Sequence, residues 1–360
     1  MLGKKRRIAV MAEGSFTPLD AKTALGVIRY RPDEVVAVID SVRAGRTSED
    51  CVGVGGAIPV VTGIEAAAAH DADTLLLGLA PQGGMLPDSW RRVVADALMH
   101  GWDVLSGLHV FLSDDPELAA LAEAKGCALL DVRRPPARRS IAARRAAYVD
   151  ALVVLTVGTD CNVGKMTTAI ELHRELEDRG VRSAFVATGQ TGIFIADQGA
   201  AIDAVPADFV AGLVEHLVLE AARDADIVIV EGQGAIHHPA YSGVTLSLMH
   251  GACPEVLVLC HQAGRTHVKL MDAGPAPKLR SLTEILRDNE RAAGWIRPAP
   301  VLALALNTML LDELEARRAI ETTQKLTGVP TVDPVRFGVE AVATELQRRL
   351  DERKRRASNE

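Results

Sequence analysis

Residues 152–168 read LVVLTVGTDCNVGKMTT. Leu152 to Val157 is an unbroken aliphatic and β-branched run, which predicts a strand buried on both faces. Gly158 ends the run, a polar loop leads to Gly164-Lys165, and a helical pattern follows over Ala169 to Asp178. Strand, glycine-bounded loop and helix together aim backbone N–H groups and a helix N-terminus at one anion. The lysine adds a cation for the outer phosphate oxygens. The common template is G-x-x-x-x-G-K-[ST]. Here five residues separate Gly158 from Gly164, and Met166 stands where a metal-binding hydroxyl is usual. The expected phosphate-holding set is Gly158, Thr159, Asp160, Cys161, Asn162, Val163, Gly164, Lys165, Met166, Thr167 and Thr168.

Outward from this stretch, strands and helices alternate in both directions. Before it, strands are expected at Arg7–Met11, Glu34–Ile39, Thr74–Leu77, Asp103–Ser106 and Ala128–Asp131. The helices between them are expected at Ala21–Arg29, Glu65–His70, Trp90–His100 and Pro116–Lys125. After it, strands are expected at Ser183–Ala187, Ile227–Val230, Val256–Cys260 and Val301–Leu306. Such alternation predicts an α/β protein with parallel sheets: an N-terminal Rossmann-like domain over 1–132 and a P-loop NTPase-like α/β domain over 149–360. Between them, residues 133–148 hold Pro135-Pro136 and six arginines, Arg133, Arg134, Arg138, Arg139, Arg144 and Arg145. This stretch reads as a solvated connector, or as an arginine cluster facing an anion. Asp40, closing the second strand, would suit a ribose hydroxyl, but the first strand leads into AEGSFTP (12–18), which lacks G-x-G-x-x-G. The charged end, Arg348–Glu360, reads as a helix that frays into a tail.

The chain has 360 residues, 48% of them hydrophobic but only 3% aromatic, with a formal net charge of −7. That charge disfavours nucleic acid as a partner. The five cysteines (Cys51, Cys127, Cys161, Cys253 and Cys260) show no C-x-x-C spacing. They read as reduced thiols of a cytoplasmic protein, and no metal is assigned. No apolar run approaches the roughly 18 residues of a membrane helix.

In an open parallel sheet the carboxyl ends of the strands line the ligand crevice. Thr188-Gly189-Gln190-Thr191-Gly192 offers Gln190 and Thr191 on a glycine loop. Asp208 reads as the cap of a helix near 211–222. Glu231 ends a buried apolar strand, a costly place for an acid without a task. Gln233, His237, His238, Tyr241 and Ser242 follow in one glycine-bearing loop. Arg265, with Lys269 behind it, could bind carboxylates. Asn307 could read a purine edge.

GTDCNVGK (158–165) resembles the phosphate loop of dethiobiotin synthetase-like P-loop proteins, which carry the same longer spacing. The whole chain resembles a two-domain family long described only as of unknown function, whose members include D-glutamate N-acetyltransferases. The stretches that carry this resemblance are AEGSFTPLDAKTALGVIRY (12–30), GLAPQGGMLP (78–87), GTDCNVGKMTT (158–168), ATGQTG (187–192), EGQGAIHHPAYSGVT (231–245), HQAGRT (261–266) and LALNT (304–308). The resemblance implies acetyl-CoA as acyl donor and D-glutamate as acceptor, a small-molecule acidic amino acid. Homo-oligomers are compatible with it. On this reading Glu231 or His237 is the base. Gln190, Thr191, Gln233, Tyr241, Ser242 and Arg265 meet the acceptor, and Lys165 and Asn307 hold the donor. Met166 weighs against the alternative, an ATP- and Mg-dependent ligase, because a thioether is a poor ligand for a hard cation. A nucleotide-binding regulator without turnover is the third possibility.

Overall fold

In the computed structural model β1 (Ile8–Met11), α1 (Lys22–Tyr30), β2 (Val35–Ile39), α2 (Ser48–Val52), β3 (Val60–Val61) and α3 (Ile64–Ala68) open the chain. They are followed by β4 (Thr74–Leu77), α4 (Asp88–Met99), β5 (Asp103–Ser106), α5 (Pro116–Lys125) and β6 (Leu129–Asp131). The later elements are β7 (Leu152–Gly158), α6 (Lys165–Asp178), β8 (Ser183–Val186), α7 (Gln190–Ala196), α8 (Ala207–Ala221), β9 (Ile227–Val230) and α9 (Ser242–Ala252). β10 (Val256–Gln262), α10 (Leu282–Gly294), β11 (Val301–Asn307), α11 (Glu313–Thr327), β12 (Thr331–Val332) and α12 (Glu340–Ala357) complete it. The structure describes residues 4–79, 85–137, 140–270 and 275–357. Residues 80–84 of the GLAPQGGMLP stretch, Arg138 and Arg139, and 358–360 of the expected tail lie outside the described residues.

Two compact units result, each on its own six-stranded parallel sheet: Met1–Pro136 with Gly189–Ala204, and Ala137–Thr188 with Val205–Glu360. The fold class is the expected one. The segment 189–204 groups with the first unit, although it follows β8 in the chain. Thr188–Gly192, expected to be a loop, instead runs into α7, which begins at Gln190 after the N-cap Gly189. Phe194 of α7 joins the apolar cluster of Val10, Ala24, Val27 and Ile28. That burial overrides a local sequence, T-G-Q-T-G, that has little helix preference of its own.

The first unit has strand order β3-β2-β1-β4-β5-β6, the doubly wound order. Its strands are near-continuous apolar runs because helices cover both faces. α4 turns Trp90, Val94, Ala97 and Leu98 inward, the i, i+4, i+7, i+8 stripe of an amphipathic helix. α5 has Asp115 as N-cap, Pro116 at its first position and Gly126 in the left-handed region at φ 68°, so its ends are set by local sequence. Asp40 is fully buried and accepts from the backbone N–H groups of Gly14, Phe16 and Val42 and from Arg43 Nη1. It therefore ties down the loop after β1, which is a different task from holding a ribose.

Among the described arginines of 133–148, Arg133 is buried, whereas Arg134, Arg144 and Arg145 are exposed. Buried Arg133 donates to the Gly107 carbonyl at 2.6 Å and to Gln190 Oε1 at 2.7 Å, and pairs with Asp203. Arg134 meets Asp114 Oδ1 at 2.6 Å and lies over the Phe111 ring. In the second unit Arg145 forks onto Glu215, a fully buried carboxylate that also accepts the Ala143 and Arg145 N–H groups. Asp208 does not cap α8: Pro206 occupies that position, and Asp208 lies in the first turn, where its charge suits the helix dipole.

Candidate functional site

The second sheet has order β12-β11-β10-β7-β9-β8. β7 thus lies between β9 and β10, with Leu155 opposite Val230 and Gly158 opposite Cys260. The segments after Val230 and after Cys260 therefore emerge on either side of residues 159–164. Sequence spacing could not show this, because which strands are neighbours is a tertiary outcome.

The loop is built as a cradle. Asn162 at φ 55° and Gly164 at φ 105° turn the backbone through the left-handed region. Lys165, the first residue of α6, is buried and donates from Nζ to the Asp160 carbonyl at 2.8 Å. A Cβ at Gly158 would stand 2.9 Å from both that carbonyl oxygen and Nζ, so only glycine leaves the lysine its path. Val163 and Met166 are buried with the core. Thr168 is buried too, and its hydroxyl takes the Cys260 thiol at 3.5 Å; of the two threonines expected to face phosphate, it is turned inward. The Thr167 hydroxyl has no hydrogen bond to another described residue. Burial pushes the Cys260 thiol up to about 11, so it is protonated and unreactive.

Asp160 is fully buried. It accepts from the Cys161 N–H at 2.7 Å, from the Lys269 N–H at 2.8 Å and from Arg265 Nη1 at 2.7 Å. Arg265 also donates to the Cys161 carbonyl at 2.8 Å and bonds Gln262. The guanidinium expected to hold substrate carboxylates is instead bonded within this cluster, clamping the phosphate loop. Lys269 contributes its backbone to the cluster. His238 Nδ1 accepts the Ala240 N–H at 3.1 Å, which places the ring proton on Nε2, 3.2 Å from the Lys269 carbonyl and 3.9 Å from Asp160 Oδ1. Asp160, Cys161 and His238 offer metal-ligand atoms within 4.8 Å of one another. Three donors already meet the Asp160 carboxylate, and the Ala240 N–H occupies the His238 Nδ1 lone pair.

Thr159 joins the loop to β10. Its N–H reaches the Cys260 carbonyl at 3.0 Å, and its hydroxyl meets His261 Nδ1 at 2.8 Å. Burial, and then the nearby Arg265, push the His261 imidazole down to about 4, against the opposing pull of Asp160. Because the folded value lies below the unfolded one, the unfolded chain binds the extra proton. This stability is fully present above about pH 6.5 and is lost as pH falls through about 4. In His261→Asn the drop in unfolding free energy from pH 7 to pH 4.5 should shrink by about 2 kcal/mol. Urea titrations at the two pH values measure it, and an unchanged drop would contradict the assignment.

On the β9 side, Glu231 is buried and accepts from the Thr188 N–H at 2.9 Å and from Gln233 Nε2 at 3.1 Å. Thr188 Oγ1 donates to its carbonyl at 2.7 Å. Glu231 thus holds two segments together. The Gln233 carbonyl accepts from Thr245 Oγ1. The Tyr241 ring packs against His238, tilted by 32° with centroids 4.6 Å apart, and the Ser242 N–H bonds the His238 carbonyl as α9 begins. His237 Nε2 lies 2.9 Å from Asp288 Oδ2 of α10, and Asp288 has Arg280 and Arg291 beside it. Asp288 was missed in the sequence: 51 residues separate it from His237, and nothing local distinguishes it from other helix-surface acids. Asn307 spends its side-chain oxygen on the Met309 N–H at 3.0 Å. Gln190 and Thr191 belong to the first unit, where Gln190 meets Arg133 and Thr191 Oγ1 lies 2.9 Å from Thr23 Oγ1.

Residues 140–343 match the family described as Domain of unknown function (DUF1611_C) P-loop domain, and residues 41–135 match its Rossmann-like companion, DUF1611_N. The chain belongs to the DUF1611 family. Similar to it is a D-glutamate N-acetyltransferase from Tritonibacter scottomollicae, 39% identical over 323 residues, 89% of this chain and 92% of the relative. A second D-glutamate N-acetyltransferase, from a Pseudoalteromonas species, is 36% identical over 281 residues, 78% of this chain and 83% of the relative. The crystal structure of a DUF1611 family protein from Anabaena variabilis matches with a TM-score of 0.90 at 39% identity, over 95% of this chain and 99% of that one. Family members thus combine a Rossmann-like and a P-loop domain. In this one no described helix is long and apolar enough to cross a membrane.

Proposed function

We propose that this protein is an N-acetyltransferase that moves an acetyl group from acetyl-CoA to the amine of an acidic amino acid, D-glutamate first. The relatives' names support the reaction. Met166 is the observation that carries the choice of donor. It sits in the core, so the first turn of α6 keeps its N–H groups and Lys165 for phosphate but loses the hydroxyl that would hold Mg²⁺ for nucleotide cleavage. A loop of this kind anchors the pyrophosphate of coenzyme A.

His237 is the general base on this reading. Asp288 accepts the Nε2 proton, which leaves Nδ1 free to take one from the acceptor ammonium. The freed amine attacks the thioester carbonyl, the C–S bond breaks, and the proton that the nitrogen gives up on becoming an amide goes to the departing sulfur, so coenzyme A leaves as the thiol. Glu231, engaged by Thr188 and Gln233, shapes the loop that carries His237.

Lys165→Ala should weaken acetyl-CoA binding about 10- to 100-fold, the worth of one charge-assisted bond to phosphate, with kcat changed far less. Calorimetry combined with initial rates separates the two, and a pure kcat loss would contradict the anchor role. Free-thiol release from acetyl-CoA across D- and L-amino acids tests the whole reading. Release with D-glutamate supports it. Phosphate release from Mg-ATP, with no thiol release, overturns it.

A further inference from the structure

A cavity of about 300 Å³ opens in the second unit beside the carboxyl ends of β10 and β11. His261, Ala263, Leu282, Leu306, Arg318 and Ala319 line it. His261 is also the partner of Thr159, so the cavity and the phosphate loop share a wall. The Ala263 N–H bonds the Asn307 carbonyl at 3.0 Å and fixes the cavity mouth between the two strand ends. The space is at the small end for ligand pockets and its walls are largely apolar, which suits one flat heterocycle and not a whole cofactor. Arg318 is the cation at its edge. It is exposed and, among the described residues, its guanidinium has neither hydrogen bond nor ion pair, whereas that of its neighbour Arg317 is held by Glu313 and by the Phe337 ring. An unpaired guanidinium beside an apolar slot, one residue layer from a phosphate loop, matches a ligand with a base and a second phosphate near it. An amino-acid acceptor fits less well, since no acid lines the cavity to meet its ammonium.

We propose that this cavity seats the adenine ring of the donor and that Arg318 binds the ribose 3′-phosphate, making Arg318 the residue that selects coenzyme A over nucleotides and 3′-dephospho-coenzyme A. The proposal rests on acetyl-CoA being the donor. The forked donors of Arg318 meet phosphate oxygens that lysine would meet only as a point charge. Ala319, on the same helix, also lines the slot.

Calorimetric titration of the full-length protein with coenzyme A and with 3′-dephospho-coenzyme A tests this. The wild type should favour coenzyme A about 10- to 100-fold, one charge-assisted contact. Arg318→Ala should bring the ratio close to one by weakening coenzyme A alone. Ala319→Leu should weaken both ligands together and keep the ratio. If Arg318→Ala keeps the wild-type ratio, or Ala319→Leu binds both ligands as tightly as the wild type, the assignment falls while the acetyl-CoA reading stands. If the wild type binds coenzyme A without preferring it to the dephospho form, the assignment of Arg318 falls. If it binds neither, both readings fall.

Discussion

His237→Asn is expected to lower turnover with acetyl-CoA and D-glutamate about 100- to 10,000-fold at neutral pH, the usual contribution of a positioned general base. The substitution removes a half-buried ring whose recorded partner is Asp288, so the unfolding midpoint should move little. Asp288→Asn should cause a smaller loss, because the base remains but its tautomer and orientation are no longer imposed. Both variants should bind acetyl-CoA as the wild type does, since neither residue belongs to the phosphate loop. Thiol-release rates at saturating acetyl-CoA check the pair: His237→Asn should lose more than Asp288→Asn, with acetyl-CoA affinity unchanged in both. Retention of more than a tenth of wild-type kcat in His237→Asn would sink the assignment and return Glu231 to consideration.

Gly232→Ala is the substitution with the largest expected effect on the fold. A Cβ there would overlap the Thr156 carbonyl oxygen of β7 and stand 3.2 Å from Lys165 Cδ. Gly232 N–H also donates to Thr156 Oγ1 at 2.9 Å, so the two segments cannot part without losing a buried bond. The obstacle is backbone in a fully buried strand, which cannot swing aside as a side-chain tip would. The cost should be about 3 kcal/mol or more, at the upper end for overpacking a core. Gly243→Ala is the control: nothing lies within 4 Å of the added carbon, and its stability should be unchanged or slightly higher. Urea unfolding of both variants, followed by a probe in the second unit, reads the difference. Equal midpoints would contradict the packing argument.

Elements with strong local signals were legible in the sequence. β4, β5, α5 and β9 fall on the expected residues, because apolar runs bounded by turn chemistry need no partner to be recognised. The glycine-bounded turn from β7 into α6 was legible for the same reason, since its glycines and lysine act within a dozen consecutive residues. α7 was not: the T-G-Q-T-G sequence reads as a loop, and only the burial of Phe194 makes it a helix. β3 and β12, two residues each, carry too little pattern to be found.

The site divides along the same line. Residue types and spacing located Glu231, His237, Arg265 and Asn307 at strand ends, but their partners decide what each does. Arg265 was expected to face a ligand and instead meets buried Asp160; a charge inside the fold takes the nearest opposite charge that burial offers it. Thr168 faces Cys260 because the helical period carries it inward from Lys165. Asp288 comes to His237 from α10, and Arg318 comes to the cavity from α11.

By itself, the sequence determined that this chain folds as two parallel α/β sheets and that residues 158–168 form a P-loop-type strand-loop-helix with methionine in place of the usual metal hydroxyl, because periodicity, glycines and a single methionine act over a few residues. Only the tertiary structure decided which charges are spent on the fold and which remain for a ligand. That depends on strand order and on burial, which bring together residues 51 and 105 positions apart and cannot be read from spacing along the chain.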